Sequence, residues 1–220
     1  MSASLSQSCR TYACRSATSG IAIATTAVLL ASAVEVPAAV AQSQPLKFQM
    51  VRSAAAEAAK CLANVHANVQ IEPLGPVERM TIVATGLPKN TEFDLFVIQV
   101  PNTPFGLSWY QGDMESNSGG VARGQFIGRF NIETFIVAPN TAPAPVVHDK
   151  KPFPDAGTNP ATPPVHTFHV GLWFNSPKDA AAAGCPNAVT PFNGDHTAGI
   201  QVLSTRNFAD DMGPLRQLEP

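Results

Sequence analysis

Charge is scarce in this sequence: 14% of its 220 residues are Asp, Glu, Lys or Arg, and the formal net charge is −2. Lys150-Lys151 is the one adjacent pair of basic residues. Without a basic stripe nothing neutralises phosphates or anionic headgroups, which excludes nucleic acid as a partner. Catalytic signatures are missing as well. The chain has no G-x-S-x-G elbow, no H-E-x-x-H and no glycine-rich phosphate cradle between strand and helix, and no cofactor is expected. No apolar run reaches the ~20 residues that a membrane-spanning helix needs. Aromatic residues make up 7%, with two Trp and two Tyr, so the place of each ring carries information.

What is present begins with an export segment. Met1–Val34 contains no acidic residue, and Arg10 and Arg15 precede an apolar block, Ile21–Val34, whose polar members are Thr25, Thr26 and Ser32. Ala39-Val40-Ala41 then puts small residues where a signal peptidase reads them. This order predicts a signal peptide over residues 1–41 and cleavage before Gln42; a cut after Ala31-Ser32-Ala33 is the alternative. The block is too short for a stable membrane anchor, lacks the interspersed Arg of a transit peptide, and Thr11-Tyr12-Ala13 before Cys14 has no lipobox leucine. A periplasmic or extracellular location follows, and the Ala- and Pro-rich composition points to a bacterial source. Processing removes Cys9 and Cys14 and leaves Cys61 and Cys185 in an oxidising compartment, which predicts a disulfide. The chain-entropy value of that bridge is on the order of 5 kcal/mol. Two buried free thiols are the competing reading.

Along the mature chain, Ser53–Leu62 reads as a short Ala-rich helix, so residues 42–62 are expected to form an N-terminal lead-in. From there the period falls to two. Ala63, Val65, Ala67, Val69 and Ile71 alternate with polar neighbours until Pro73-Leu74-Gly75-Pro76, the pattern of a half-buried strand. Further strands are expected at 77–85, 91–100, 106–112, 121–130 continuing into 132–137, 166–174 and 198–205. Phe93–Val100 turns apolar on both faces, as a central strand does. Ser176, Pro177, Asp179 and Gly184 frame a two-turn helix over 176–184. Residues 139–165 hold eight prolines and no period, a long loop of the kind that is usually functional. Seven or eight short strands with one or two short helices predict a mainly β, antiparallel sandwich over 63–205, followed by a tail over 206–220.

Four histidines, His148, His166, His169 and His196, fall in the second half and raise the question of a metal. Spaced three apart, His166 and His169 point to opposite faces of one strand, so a site requires one of them to meet Asp195 or His196 across the fold. A copper site drawn from Cys185, His196 and Met212 conflicts with the disulfide. Asp113, Glu115, Asp149, Asp155 and Asp195 supply acids, any two of which could serve a hydrolase as acid and base; solvated turn carboxylates are the simpler account. Exposed aromatics are the least demanding means of holding a ligand. Trp109, Tyr110, Phe153 and Trp173, beside Phe105, are the candidate contacts, set against the reading that these rings fill the core. Trp109 and Tyr110 are adjacent, so in a regular strand one faces away from the other.

The run Thr85-Gly86-Leu87-Pro88-Lys89-Asn90-Thr91, followed by Phe93-Asp94-Leu95-Phe96 and the hairpin Asn117-Ser118-Gly119-Gly120, lies within Met80–Gly128. This stretch, about a quarter of the chain, resembles the immunoglobulin-like modules of exported bacterial proteins. The resemblance implies an immunoglobulin-like sandwich and leaves function open. The expectation is an exported, non-enzymatic binding or structural module. Its partner would be a glycan, a peptide or a cell-envelope protein, met along the Pro-rich loop and the loop before the last strand. A secreted hydrolase or metal-binding protein using loop acids and histidines is the alternative.

Overall fold

The computed structural model describes residues 44–135, 164–191 and 197–220, all within one compact unit, Gln42–Pro220. The expected signal peptide, nearly all of the 139–165 loop, and the candidates His148, Asp149, Phe153, Asp155, Asp195 and His196 lie outside the described residues. Among the described residues no helix is long and apolar enough to cross a membrane.

The elements in order are β1 (Leu46–Arg52), α1 (Ala54–Ala58), β2 (His66–Pro73), β3 (Glu78–Thr85), β4 (Glu92–Ile98), β5 (Ser108–Glu115), β6 (Ala122–Gly128), β7 (His169–Phe174), α2 (Pro177–Ala182), β8 (Thr190–Pro191), β9 (Thr197–Ala198) and β10 (Gln201–Ser204), with a 3-10 turn at Pro214–Gln217. The chain is mainly β and antiparallel, as its alternation implied. Residues 42–62 are more than a lead-in. Leu46, Phe48 and Met50 alternate with Lys47 and Gln49, and the strand they form pairs with both β2 and β10 in the middle of the sheet. The expected continuation into 132–137 is instead a turn at its start, where the Thr134 N–H donates to the Asn131 carbonyl at 3.0 Å.

The sandwich expectation requires two sheets, whereas β1 to β7 and β10 lie in one continuous sheet of order β5-β4-β7-β10-β1-β2-β3-β6. Its two edge strands, β5 and β6, are consecutive in sequence and joined by a tight turn, so the sheet curls into a nearly closed barrel. Inward-facing Phe93, Leu95, Met80, Ile82, Leu172 and Leu203 fill the interior and are almost fully buried. One bridge, Ser116 to Ala122, ties the edges together among the described residues; beyond it β5 and β6 part. Two glycines let one ring occupy the gap. A Cβ on Gly112 would meet the Phe126 ring at 2.9 Å, and one on Gly124 would meet it at 2.6 Å.

Outside the barrel a second apolar layer covers β4 and β7. Phe96, Ile98, Trp173 and Ala198 are buried there, with Phe105 packed against them. This layer explains why β4 is apolar on both faces.

Each short helix ends in a left-handed residue, Lys60 (φ 56°) or Gly184 (φ 76°), followed by a cysteine. The Cys61 N–H reaches the Ala56 carbonyl and the Cys185 N–H the Ala180 carbonyl, the longer of the two bonds of a Schellman termination. These two terminations carry the disulfide Cys61–Cys185, with Cα atoms 5.5 Å apart. A bridge of this kind fits an oxidising environment.

The expected tail over 206–220 is part of the core. Leu215 and Leu218 are buried, the Leu215 N–H donates to the Phe168 carbonyl, and the Ile132 N–H donates to the Leu218 carbonyl. His169 fastens this segment: Nε2 donates to the Asp210 carbonyl at 3.0 Å, and Nδ1 lies 2.9 Å from the Thr205 hydroxyl. A carbonyl can only accept, so the neutral ring carries its proton on Nε2 and accepts from Thr205. Desolvation pushes the His169 pKa below the usual histidine value, against smaller opposing contributions from Asp210, Ala209 and Thr205. The unfolded chain takes up this proton at a higher pH than the folded one. The contribution of His169 is therefore whole above pH ~6.5 and is lost as pH falls through the lowered folded value. Urea titrations of wild type and His169→Gln between neutral and mildly acidic pH should show a loss of stability on acidification that is smaller in the variant.

Candidate functional site

Strand β5 is where the regular pattern breaks. Leu95 of β4 lies opposite Gly112, but Phe96 lies opposite Tyr110, which leaves Gln111 as an extra residue. In an unbroken strand, residues three apart face opposite sides. The bulge cancels that parity and brings Tyr110 and Asp113 to the same outer face, where the Tyr110 hydroxyl donates to Asp113 Oδ1 at 2.6 Å. Trp109, opposite Val97, is turned to the inner side. Both rings remain open to solvent, Trp109 58% and Tyr110 49% exposed, because β5 is an edge strand and β6 has moved away. Re-aiming of side chains is a recurrent use of bulges beside binding sites.

Tyr110 rests edge-on against Phe96, which meets Trp173 in the same way. Partial burial, then the Asp113 hydrogen bond and the negative charges of Asp113 and Asp94, push the phenol pKa up to about 12. The phenol thus stays a donor to Asp113 in neutral water. The stabilisation is whole below the ordinary tyrosine value near 10 and is lost as pH rises toward the elevated one. Tyr12 and Tyr110 are the two tyrosines of the chain, so protein lacking residues 1–41 gives an unambiguous ultraviolet titration. Phenolate should form well above pH ~10 in wild type and at a lower pH in Asp113→Asn, which keeps the desolvation and the Asp94 charge but loses the Asp113 charge.

The mouth of the seam, between the diverging ends of β5 and β6, is a cavity of about 420 Å³. Trp109, Gln111 and Phe135 stand around it, Thr134 and Thr167 contribute hydroxyls, and Val97, Phe130, Phe168 and Leu215 lie beneath. A shallower cavity of about 810 Å³ adjoins the other flank of Trp109 and Tyr110, against Phe105 and Val189. Buried Glu78 shapes the first cavity from behind. Its carboxylate accepts from the Phe130 N–H at 2.7 Å and from the Asn131 amide at 2.8 Å, and Asn131 Oδ1 accepts from the Glu133 N–H at 3.0 Å. Glu78→Gln weakens this clamp, with an expected loss of about 1–2 kcal/mol in denaturant unfolding. His166 buttresses two of the lining residues, Thr134 and Phe168. It lies 3.0 Å from the Thr134 carbonyl through Nδ1 and stacks on Phe168 with centroids 4.8 Å apart.

No protein family and no curated protein matches the chain. The residues therefore have to speak for themselves, and several candidates separate cleanly. Trp173 is fully buried in the outer apolar layer, so it packs and presents no face to a ligand. Phe105 packs edge-on against it at 5.0 Å. His166 packs against Thr134 and Phe168 whereas His169 is held by Thr205 and Asp210, so the two histidines serve different partners. Among the described residues no group of three His, Cys, Asp or Glu could hold a metal ion. Cys185 is consumed by the disulfide and cannot supply a copper thiolate. Asp113 and Glu115 sit on the outer face of β5, opposite Asp94 and Glu92 respectively. Sequence reading missed Glu78, Gln111 and Phe135. A carboxylate opening a strand, a bulge residue and a ring after a turn give no signal until their partners are known.

Proposed function

We propose that this protein is an exported binding module that seats its ligand at the seam of the barrel, against Trp109 and Tyr110. The supporting observation is the pairing of two largely exposed aromatic rings on one bulged edge strand with a preformed cavity between β5 and β6. Trp and Tyr are enriched at interfaces, and exposed apolar surface that gathers at one place marks interaction sites. Export belongs to the proposal: the predicted signal peptide motivates it and the disulfide is consistent with it. So does the immunoglobulin-like kinship, for which the run from β3 through Gly86-Leu87-Pro88 into β4 speaks. Arrays of printed glycans and synthetic peptides, probed with wild type and the double variant Trp109→Ala/Tyr110→Ala, test the reading. A ligand signal that the double variant loses is the expected result; signals indifferent to it would place the seat elsewhere.

A hydrolase remains the second reading because Asp94 and Asp113 are cross-strand partners on one face, beside the Tyr110 hydroxyl. An acid and base pair would make Asp113→Asn inactive yet still able to bind.

A further inference from the structure

We infer that the seam cavity takes a neutral sugar, one or two rings of an oligosaccharide, an inference that rests on reading this cavity as the ligand seat. Its volume of about 420 Å³ falls within the ~300–1,000 Å³ of small-molecule sites. Trp109 and Phe135 offer exposed ring faces at the mouth, and the apolar C–H face of a pyranose packs on such a surface. Gln111, Thr134 and Thr167 add amide and hydroxyl groups that both donate and accept. That is the complement of sugar hydroxyls, which do the same.

The other ligand classes fit less well, each for a reason visible in the fold. Among the described residues no carboxylate lines the cavity, so nothing there pairs with a cationic ligand. Arg129, the one charged side chain among the described lining, is exposed to water and donates to the Pro76 carbonyl, so its charge is not aimed into a desolvated pocket. A peptide added as a strand needs an uninterrupted row of backbone groups. The Gln111 bulge and Gly112 (φ 149°) break that row on β5 beside the cavity, a device that blunts strand pairing. A wholly apolar ligand would want the barrel interior, which Phe126, Leu95 and their neighbours already fill.

The test uses protein comprising residues 42–220, titrated calorimetrically with soluble chito-, cello- and xylo-oligosaccharides, with an extended peptide, and with a fatty acid. Wild type, Trp109→Ala, Trp109→Phe and Gln111→Ala are compared, after circular dichroism has shown that each is folded. At least one oligosaccharide should bind, with affinity reduced about tenfold or more by Trp109→Ala and less by Trp109→Phe. Binding of the peptide or fatty acid but of no sugar, abolished by Trp109→Ala, would overturn the sugar inference and leave the seat intact. Sugar binding unchanged within about twofold by Trp109→Ala and Gln111→Ala would overturn both. If no probe binds wild type, the sugar inference fails.

Discussion

Replacing Cys61 and Cys185 together with alanine should lower the unfolding free energy by about 2–5 kcal/mol and the melting temperature by roughly 5–15 °C. The bridge spans 124 positions of sequence, so its loss frees a loop that contains most of the barrel in the unfolded chain. On the entropic model this favours the unfolded state strongly. The folded state loses some packing as well, because both cysteines are buried in the main apolar cluster beside Ala56 and Ala180. Denaturation of the double variant, and of wild type with reductant, should agree with each other. If the variant retains wild-type stability, the bridge does not constrain the chain.

Gly171→Ala should be nearly as damaging, at about 3 kcal/mol, near the top of the range for overpacking a rigid core. Gly171 lies on β7 between β4 and β10, and its outer side is roofed by the indole of Trp173. A Cβ placed there would come within 2.4 Å of the ring and 2.9 Å of Gln201 Nε2, both in fully buried surroundings. The fully buried indole is the contact that resists, since the Gln201 amide is the end of a flexible side chain. The backbone of Gly171 is ordinary extended chain, so the damage is steric and not conformational. Trp173→Phe in the same background should therefore recover part of the loss, which a backbone effect would not allow.

Much of the secondary structure was legible because each half-buried strand reports its own period. Val69 and Ile71 in β2, Met80 and Ile82 in β3, and the Ser176-Pro177 start of α2 all lie where local chemistry places them. Strand membership in a sheet is a different matter. Nothing in the pattern of β4 or β2 says whether one sheet or two will receive it, and closure here turns on Gly112 and Gly124 yielding to Phe126. The alternation in Leu46–Met50 was present but short, and the Ala-rich helix beside it drew the reading away from a strand. At the site, Trp109 and Tyr110 were visible as candidates, whereas their joint exposure required the Gln111 bulge and the parting of β6. Trp173 misled for the converse reason: its face of the sheet carries a second apolar layer, contributed by Phe105 and Ala198 from distant segments.

The claim that the seam is the ligand seat has a direct reporter in the two indole N–H groups, one open at the cavity mouth and one sealed beneath Phe96 and Phe105. A ¹H–¹⁵N spectrum of protein comprising residues 42–220, titrated with whichever oligosaccharide binds, should move the Trp109 indole signal together with the amides of Gln111 and Thr134. The Trp173 indole should stay fixed. A titration that shifts resonances away from β5 and leaves Trp109 still would contradict the assignment of the site.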